Sequence, residues 1–150
     1  MADNQTQCVF CDIVAGKLAA YKISEDDFSF AILDINPLAQ GHCLVIPKRH
    51  VRLWNEMTEQ ETSSLFNLAR VVANKMVTLF KPEFVVPFAR GRRIPHAHLF
   101  LLPTKAGDTL DAYYTLLERV AEGAPELTRI RAEAEMDATA RMLREAEEHR

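Results

Sequence analysis

The stretch "FSFAILDINPLAQGHCLVIP", Phe28 to Pro47, constrains the fold more than any other part of the chain. Two apolar runs, Phe28–Ile35 and Cys43–Pro47, flank the segment "NPLAQGH". Asn36-Pro37 opens a turn there and Gly41 closes it. Each run has the length of a strand, and so short a connection suits antiparallel neighbours. The first run is apolar on both faces at its far end. "YKISEDD", from Tyr21, reads as a strand and turn ahead of the pair, and "KRH" after Pro47 leaves the sheet as a loop.

The remaining elements follow from period and punctuation. "CVFCDIVAG" (8–16) reads as a turn and a short helix ending near Gly16. Thr58 and Glu61 form a capping box at the start of a helix. Leu65, Leu68, Ala69, Val72, Met76 and Leu79 follow at helical spacing, and Lys81-Pro82 stops it. "EFVVPFA" is a strand with Pro87 inside it, which predicts an edge or a bulge. "HAHLFLL" is the next strand. Asp108 or Thr109 opens a helix carrying Leu110, Tyr114, Leu117 and Val120 and ending at Gly123. Pro125 starts a final helix to about Glu147, with Leu127, Ile130, Ala134, Ala138 and Met142 along one stripe. Strands first, one long inserted helix and helices at the end predict an α+β fold with an antiparallel sheet.

Composition excludes several classes. With 150 residues, 48% apolar and 26% charged, the chain has material for a packed core and is not of disordered type. A net charge of −3 argues against a nucleic-acid partner. No apolar run approaches the roughly 20 residues that span a bilayer, and "MADNQTQCVF" lacks the features of a secretory signal, so a cytoplasmic location is expected. Three cysteines make a disulfide framework a poor reading.

Chemistry is concentrated in two places. Cys8-Val9-Phe10-Cys11 is a C-x-x-C pair, and no strand precedes it as the redox version of that motif wants. A zinc reading needs two more ligands, to be drawn from His42, His50, His96 and His98; the alternative is two free buried thiols. In "RRIPHAHLFLLP", a strand would put His96, His98, Phe100 and Leu102 on one face, with ~6.5 Å between alternate residues. Ala97, Leu99 and Leu101 would face the core. At that spacing one imidazole suits a metal and the next stays free.

"GHCLVIPKRH" followed by "PHAHLFLLP" resembles the histidine triad (HIT) family, with its signature His-φ-His-φ-His-φ-φ after an upstream Gly-His-x-Leu-φ-φ-Pro. "CVFCDIVAGK", "SEDD" and "FAILDINPLAQGH" match as well, so the likeness covers about residues 8–104. It implies a HIT-like domain over 1–107, with 108–150 as a helical extension packed on or beside it. It implies a homodimer that binds a nucleotide or nucleotide conjugate and attacks its α-phosphorus through the second triad histidine, here His98. A nucleotidyl-histidine intermediate is then resolved by water or another acceptor. His42 matches a position that supports the nucleophile and its phosphate. Asp34 matches the carboxylate that accepts ribose hydroxyls, although an Asp before Asn36-Pro37 also serves a turn. Ile32, Leu33, Ile35 and Leu44 would supply part of the base pocket, or simply core. The zinc-containing branch implies a structural Zn²⁺ held by Cys8, Cys11, His50 and His96.

Two departures bear on activity. The third triad position is Phe100, which has neither donor nor acceptor. The polar segment that normally precedes the triad is replaced by "VVPFARGRRIP", so Arg92 and Arg93 are candidate phosphate contacts, or surface arginines. Three functions follow: a phosphoramidase or dinucleoside polyphosphate hydrolase-like enzyme, a nucleotide-binding zinc protein with little turnover, or a metal-stapled interaction protein.

Overall fold

A computed structural model describes residues 8–91 and 93–147. Five strands form one antiparallel sheet: β1 (Lys22–Glu25), β2 (Ser29–Leu33), β3 (Cys43–Pro47), β4 (Phe84–Phe88) and β5 (Leu99–Thr104), in the order β1-β2-β3-β5-β4. With five helices around and after this sheet, the molecule is α+β. The short turn does join antiparallel neighbours: Leu33 pairs with Cys43 and Ser29 with Pro47.

Strand alternation divides the core in two. Ala31, Cys43, Val45, Leu99 and Leu101 project to one face and pack on α2 (Glu59–Phe80) through Leu65, Leu68, Ala69, Val72 and Met76. Phe30, Ile32, Leu44 and Ile46 project to the other face and pack with Phe10 of α1 (Val9–Val14), with Phe100 against the cluster. The central strands are apolar on both faces because both faces are covered. His96 and His98 lie on the α1 side, against Phe10.

The capping box at α2 is formed. Thr58 Oγ1 accepts from the Glu61 N–H at 3.2 Å, and a Glu61 carboxylate oxygen accepts from the Thr58 N–H at 2.8 Å. Lys81 ends the helix in the left-handed region at φ +49°, just ahead of Pro82. Leu79 keeps the period yet is 71% exposed, beyond the last buried residue, Met76. Pro87 lies on β4, an edge strand, where its missing N–H interrupts no second ladder.

Two expectations need correction. The strand does not include the histidines: β5 starts at Leu99. Its pairing with β3 begins at Val45–Leu99, and the extended segment before it is held by other bonds, with the Ala97 N–H donating to the Val51 carbonyl at 2.7 Å. The final helix is also not continuous. It divides into α4 (Pro125–Ile130) and α5 (Glu133–Glu145), with Ala132 extended at φ −63°, ψ 139° between them. No glycine or proline marks that break. With α3 (Thr109–Glu122), these helices form a compact unit from Thr109 onward, and residues to Asp108 form the other. No helix among the described residues is long and apolar enough to cross a membrane.

Candidate functional site

The C-x-x-C pair is brought to the triad by one turn of helix. Cys8 precedes α1 and Cys11 lies within it; Phe10 between them packs edge-on to His96 and His98, with ring centroids 5.6 and 5.3 Å apart. Cys8 Sγ lies 3.3 Å from His96 Nδ1, and Cys11 Sγ lies 3.2 Å from His50 Nδ1 and 3.7 Å from His96 Nδ1. All four ligand atoms of Cys8, Cys11, His50 and His96 fall within 4.8 Å of one another. Around a tetrahedral zinc, with Zn–S near 2.3 Å and Zn–N near 2.0–2.1 Å, neighbouring sulfur and nitrogen atoms lie about 3.5 Å apart.

The protonation chemistry agrees with that donor set. His96 Nε2 donates to the Pro47 carbonyl at 2.8 Å, so Nδ1 keeps its lone pair for the cluster. Burial holds the His96 imidazole below its ordinary value, in the neutral form that a ligand needs. Burial, together with hydrogen bonding and charge at Cys8, pushes the Cys11 thiol up to about 11. Two adjacent thiolates are unfavourable without a cation, and a dication removes that penalty. The residues fit a zinc ion in number, type and spacing.

His98 stands two residues on and is 7% exposed. Its Nδ1–H donates to the His96 carbonyl at 2.7 Å, because a carbonyl only accepts. In the neutral ring this leaves the lone pair on Nε2. His42 is the opposite tautomer: its Nδ1 accepts the Leu38 N–H at 3.2 Å, which leaves the proton on Nε2. That nitrogen is buried and has no hydrogen-bond partner; Asp34 Oδ2 is 3.7 Å away. Burial holds His42 below its ordinary value despite the opposing pull of Asp34. Gly41, at φ +87°, sets this turn, and a side chain there would strike the Phe80 ring.

The rings of His98 and His42 both approach Phe100, with centroids 5.0 and 5.5 Å from it. Phe88 stacks on Phe100 at 4.7 Å and 13°. Beside His42 a cleft of about 410 Å³ is lined by Leu33, Asp34, Pro37, Leu38 and their neighbours to His42. Asp34 serves the turn, where its Oδ1 accepts the Asn36 N–H at 2.7 Å, while its Oδ2 faces His42. Leu33 lines the cleft. Ile32 and Leu44 lie in the apolar core, the alternative place the sequence left open for them, and Ile35 is 81% exposed. Arg93 is exposed; Arg92 lies outside the described residues.

The sequence reading missed Phe10, Phe88 and a lock behind His50. Arg49 donates from Nε and Nη2 to the buried Glu61 carboxylate at 2.5 and 2.7 Å, tying the loop before His50 to the start of α2. Phe88 was within reach of register counting, since it pairs directly with Phe100. The Arg49–Glu61 pair had no signal, because the capping box already accounted for Glu61.

A HIT domain model matches residues 16–107, starting after the C-x-x-C pair. An uncharacterised HIT-like protein of Mycobacterium tuberculosis is 34% identical over 147 residues, 93% of this chain and 92% of that one. An adenylylsulfatase of Arabidopsis thaliana is 33% identical over 117 residues, 75% of this chain and 59% of that protein. The crystal structure of a zinc-bound histidine triad family protein from Mycobacterium smegmatis aligns with TM-score 0.64 and 25% identity, over 76% of this chain and 97% of that one.

Proposed function

Because the chain belongs to the histidine triad family, with the HIT domain over residues 16–107, we propose that it is a nucleotide hydrolase or nucleotidyl transferase acting at an α-phosphate through His98. The observation that carries this is the bond from His98 Nδ1–H to the His96 carbonyl. It presents an unprotonated Nε2 as nucleophile, on a backbone fixed by its neighbours. His98 attacks the α-phosphorus and holds the nucleotidyl group until water or another acceptor takes it. The partnerless Nε2–H of His42 donates to a phosphoryl oxygen as negative charge builds there. Asp34, which lines the cleft, accepts ribose hydroxyls through Oδ2, and the exposed Arg93 supplies charge to the phosphate.

Cys8, Cys11, His50 and His96 hold a structural zinc. These four residues would tie α1, the loop after β3 and the approach to β5 together through the ion, and four protein donors would suit a structural site. The likeness to a zinc-bound relative supports this, and the likeness to an adenylylsulfatase supports nucleotide chemistry. The chain works as a cytoplasmic homodimer; support comes from β4, an open edge with Phe84 56% exposed. A second reading, nucleotide binding with little turnover, rests on Phe100 and predicts affinity without product.

The test is turnover of a panel of nucleoside phosphoramidates, dinucleoside polyphosphates and nucleotide mixed anhydrides, beside His98→Ala. Product that disappears in His98→Ala supports the enzyme. Product that persists overturns the role of His98, and nucleotide binding with no product selects the second reading.

A further inference from the structure

Phe100 also bears on which substrates the site can turn over. It stacks on Phe88 and touches the rings of both His98 and His42. Direct pairing of Phe88 with Phe100 across β4 and β5 fixes this aromatic pair by backbone register. Neither ring can donate or accept a proton. Phe100 therefore sets an apolar wall beside the rings of His98 and His42.

The need for a proton depends on what departs. When His98 Nε2 bonds to phosphorus, the bond from phosphorus to the leaving atom breaks and its electron pair goes to that atom. An amine or an alkoxide requires a proton as it leaves. Sulfate, a carboxylate, a phosphate or an activated phenolate departs with the electron pair alone. The described residues around Phe100 offer no acid for the first class. His98 commits its Nε2 pair to phosphorus and its Nδ1–H to the His96 carbonyl. His42 is a neutral ring, because its burial disfavours the imidazolium; it donates a hydrogen bond and keeps its proton. Asp34 acts as an acceptor towards Asn36.

We propose that this site is selective for leaving-group acidity: it accepts nucleoside monophosphate anhydrides and activated esters and discriminates against phosphoramidates and alkyl esters. This rests on the nucleophilic role of His98 given above. In the first step the neutral imidazole becomes a nucleotidyl-imidazolium that retains Nδ1–H, and the leaving group departs as an anion. In the second step water attacks phosphorus, the nitrogen–phosphorus pair returns to Nε2 and the water proton passes to solvent. Atoms and charge balance without a protein acid.

The experiment is a leaving-group series on the full-length protein: aryl esters of AMP and GMP from nitrophenyl to phenyl, with the corresponding alkyl phosphoramidates. Log kcat/KM is expected to fall steeply as the leaving group becomes less acidic. Phe100→His is expected to flatten that slope and raise phosphoramidate turnover about 10²- to 10⁴-fold, the size of one general-acid contribution. Phe100→Gln, which is polar but not an acid, is expected to leave the slope steep. Should Phe100→His not fold, the wild-type slope decides. A flat wild-type slope with turnover still dependent on His98 overturns this inference and leaves the nucleophile intact. No turnover of any ester overturns both.

Discussion

At the scale of single residues, the site is governed by which nitrogen of each ring is already engaged. His96 and His98 hand one N–H each to a backbone carbonyl, and His42 takes one from a backbone N–H. The spacing of the histidines was legible in the sequence. Their tautomers were not, because each is set by a main-chain atom whose position only the folded backbone gives: Pro47 for His96, His96 for His98 and Leu38 for His42. The Arg49–Glu61 pair shows the same limit and allows a prediction. The Arg49 guanidinium, hydrogen-bonded to Glu61, holds that carboxyl at about 2 against an ordinary 4.5. A carboxyl lowered on folding contributes stability that is full above its unfolded value and is lost as pH falls through the folded one. Wild type is therefore expected to exceed Glu61→Gln in urea midpoint at pH 6, with the gap closing as pH falls from about 4.5 towards 2. Denaturation curves at a series of pH values check this.

At the scale of elements, α2 shows why some boundaries can be read and others cannot. Its start is encoded within four residues, Thr58 to Glu61, and its end by Lys81-Pro82. Thr58→Ala is expected to cost about 1 kcal/mol, seen in urea unfolding, and Thr58→Ser to recover most of it. The start of β5 was harder to place, since alternation of side chains continues through His96 and His98 although the ladder begins only at Leu99. Period reports side-chain facing, whereas a strand also needs a hydrogen-bonding neighbour. The division between α4 and α5 lacks any local signal of the kind that stops α2. The residues expected to line a base pocket were the hardest to place. Ile32, Leu33 and Leu44 are equally apolar, and only their places in three dimensions separate the cleft wall from the core.

At the scale of the whole molecule, the cysteine–histidine cluster joins three stretches far apart in sequence: residues 8–11, His50 and His96. Such a cross-link ties α1 to the sheet independently of its apolar contacts, and metal affinity then adds to folding stability. Metal analysis is expected to find about one zinc per chain in wild type and little in Cys8→Ser. Thermal unfolding with and without a strong chelator is expected to show a lower Tm after zinc removal; an unchanged Tm with zinc gone would sink the structural role. The antiparallel sheet and the long helix were legible because they rest on local patterns, whereas the four clustered donors, spread over three distant stretches, were expected only through the family resemblance. The unit from Thr109 onward was read only as helices, and its surface carries exposed Leu116, Val120, Met142 and Leu143. One bond described above carries a last consequence. The carbonyl that orients His98, the proposed nucleophile, belongs to His96, itself a member of the cluster, so on this proposal ion loading and reactivity share one residue. Partial loading would then divide a preparation into working and idle molecules rather than slow every molecule equally. Specific activity normalised to zinc would stay constant while specific activity normalised to protein varied from batch to batch.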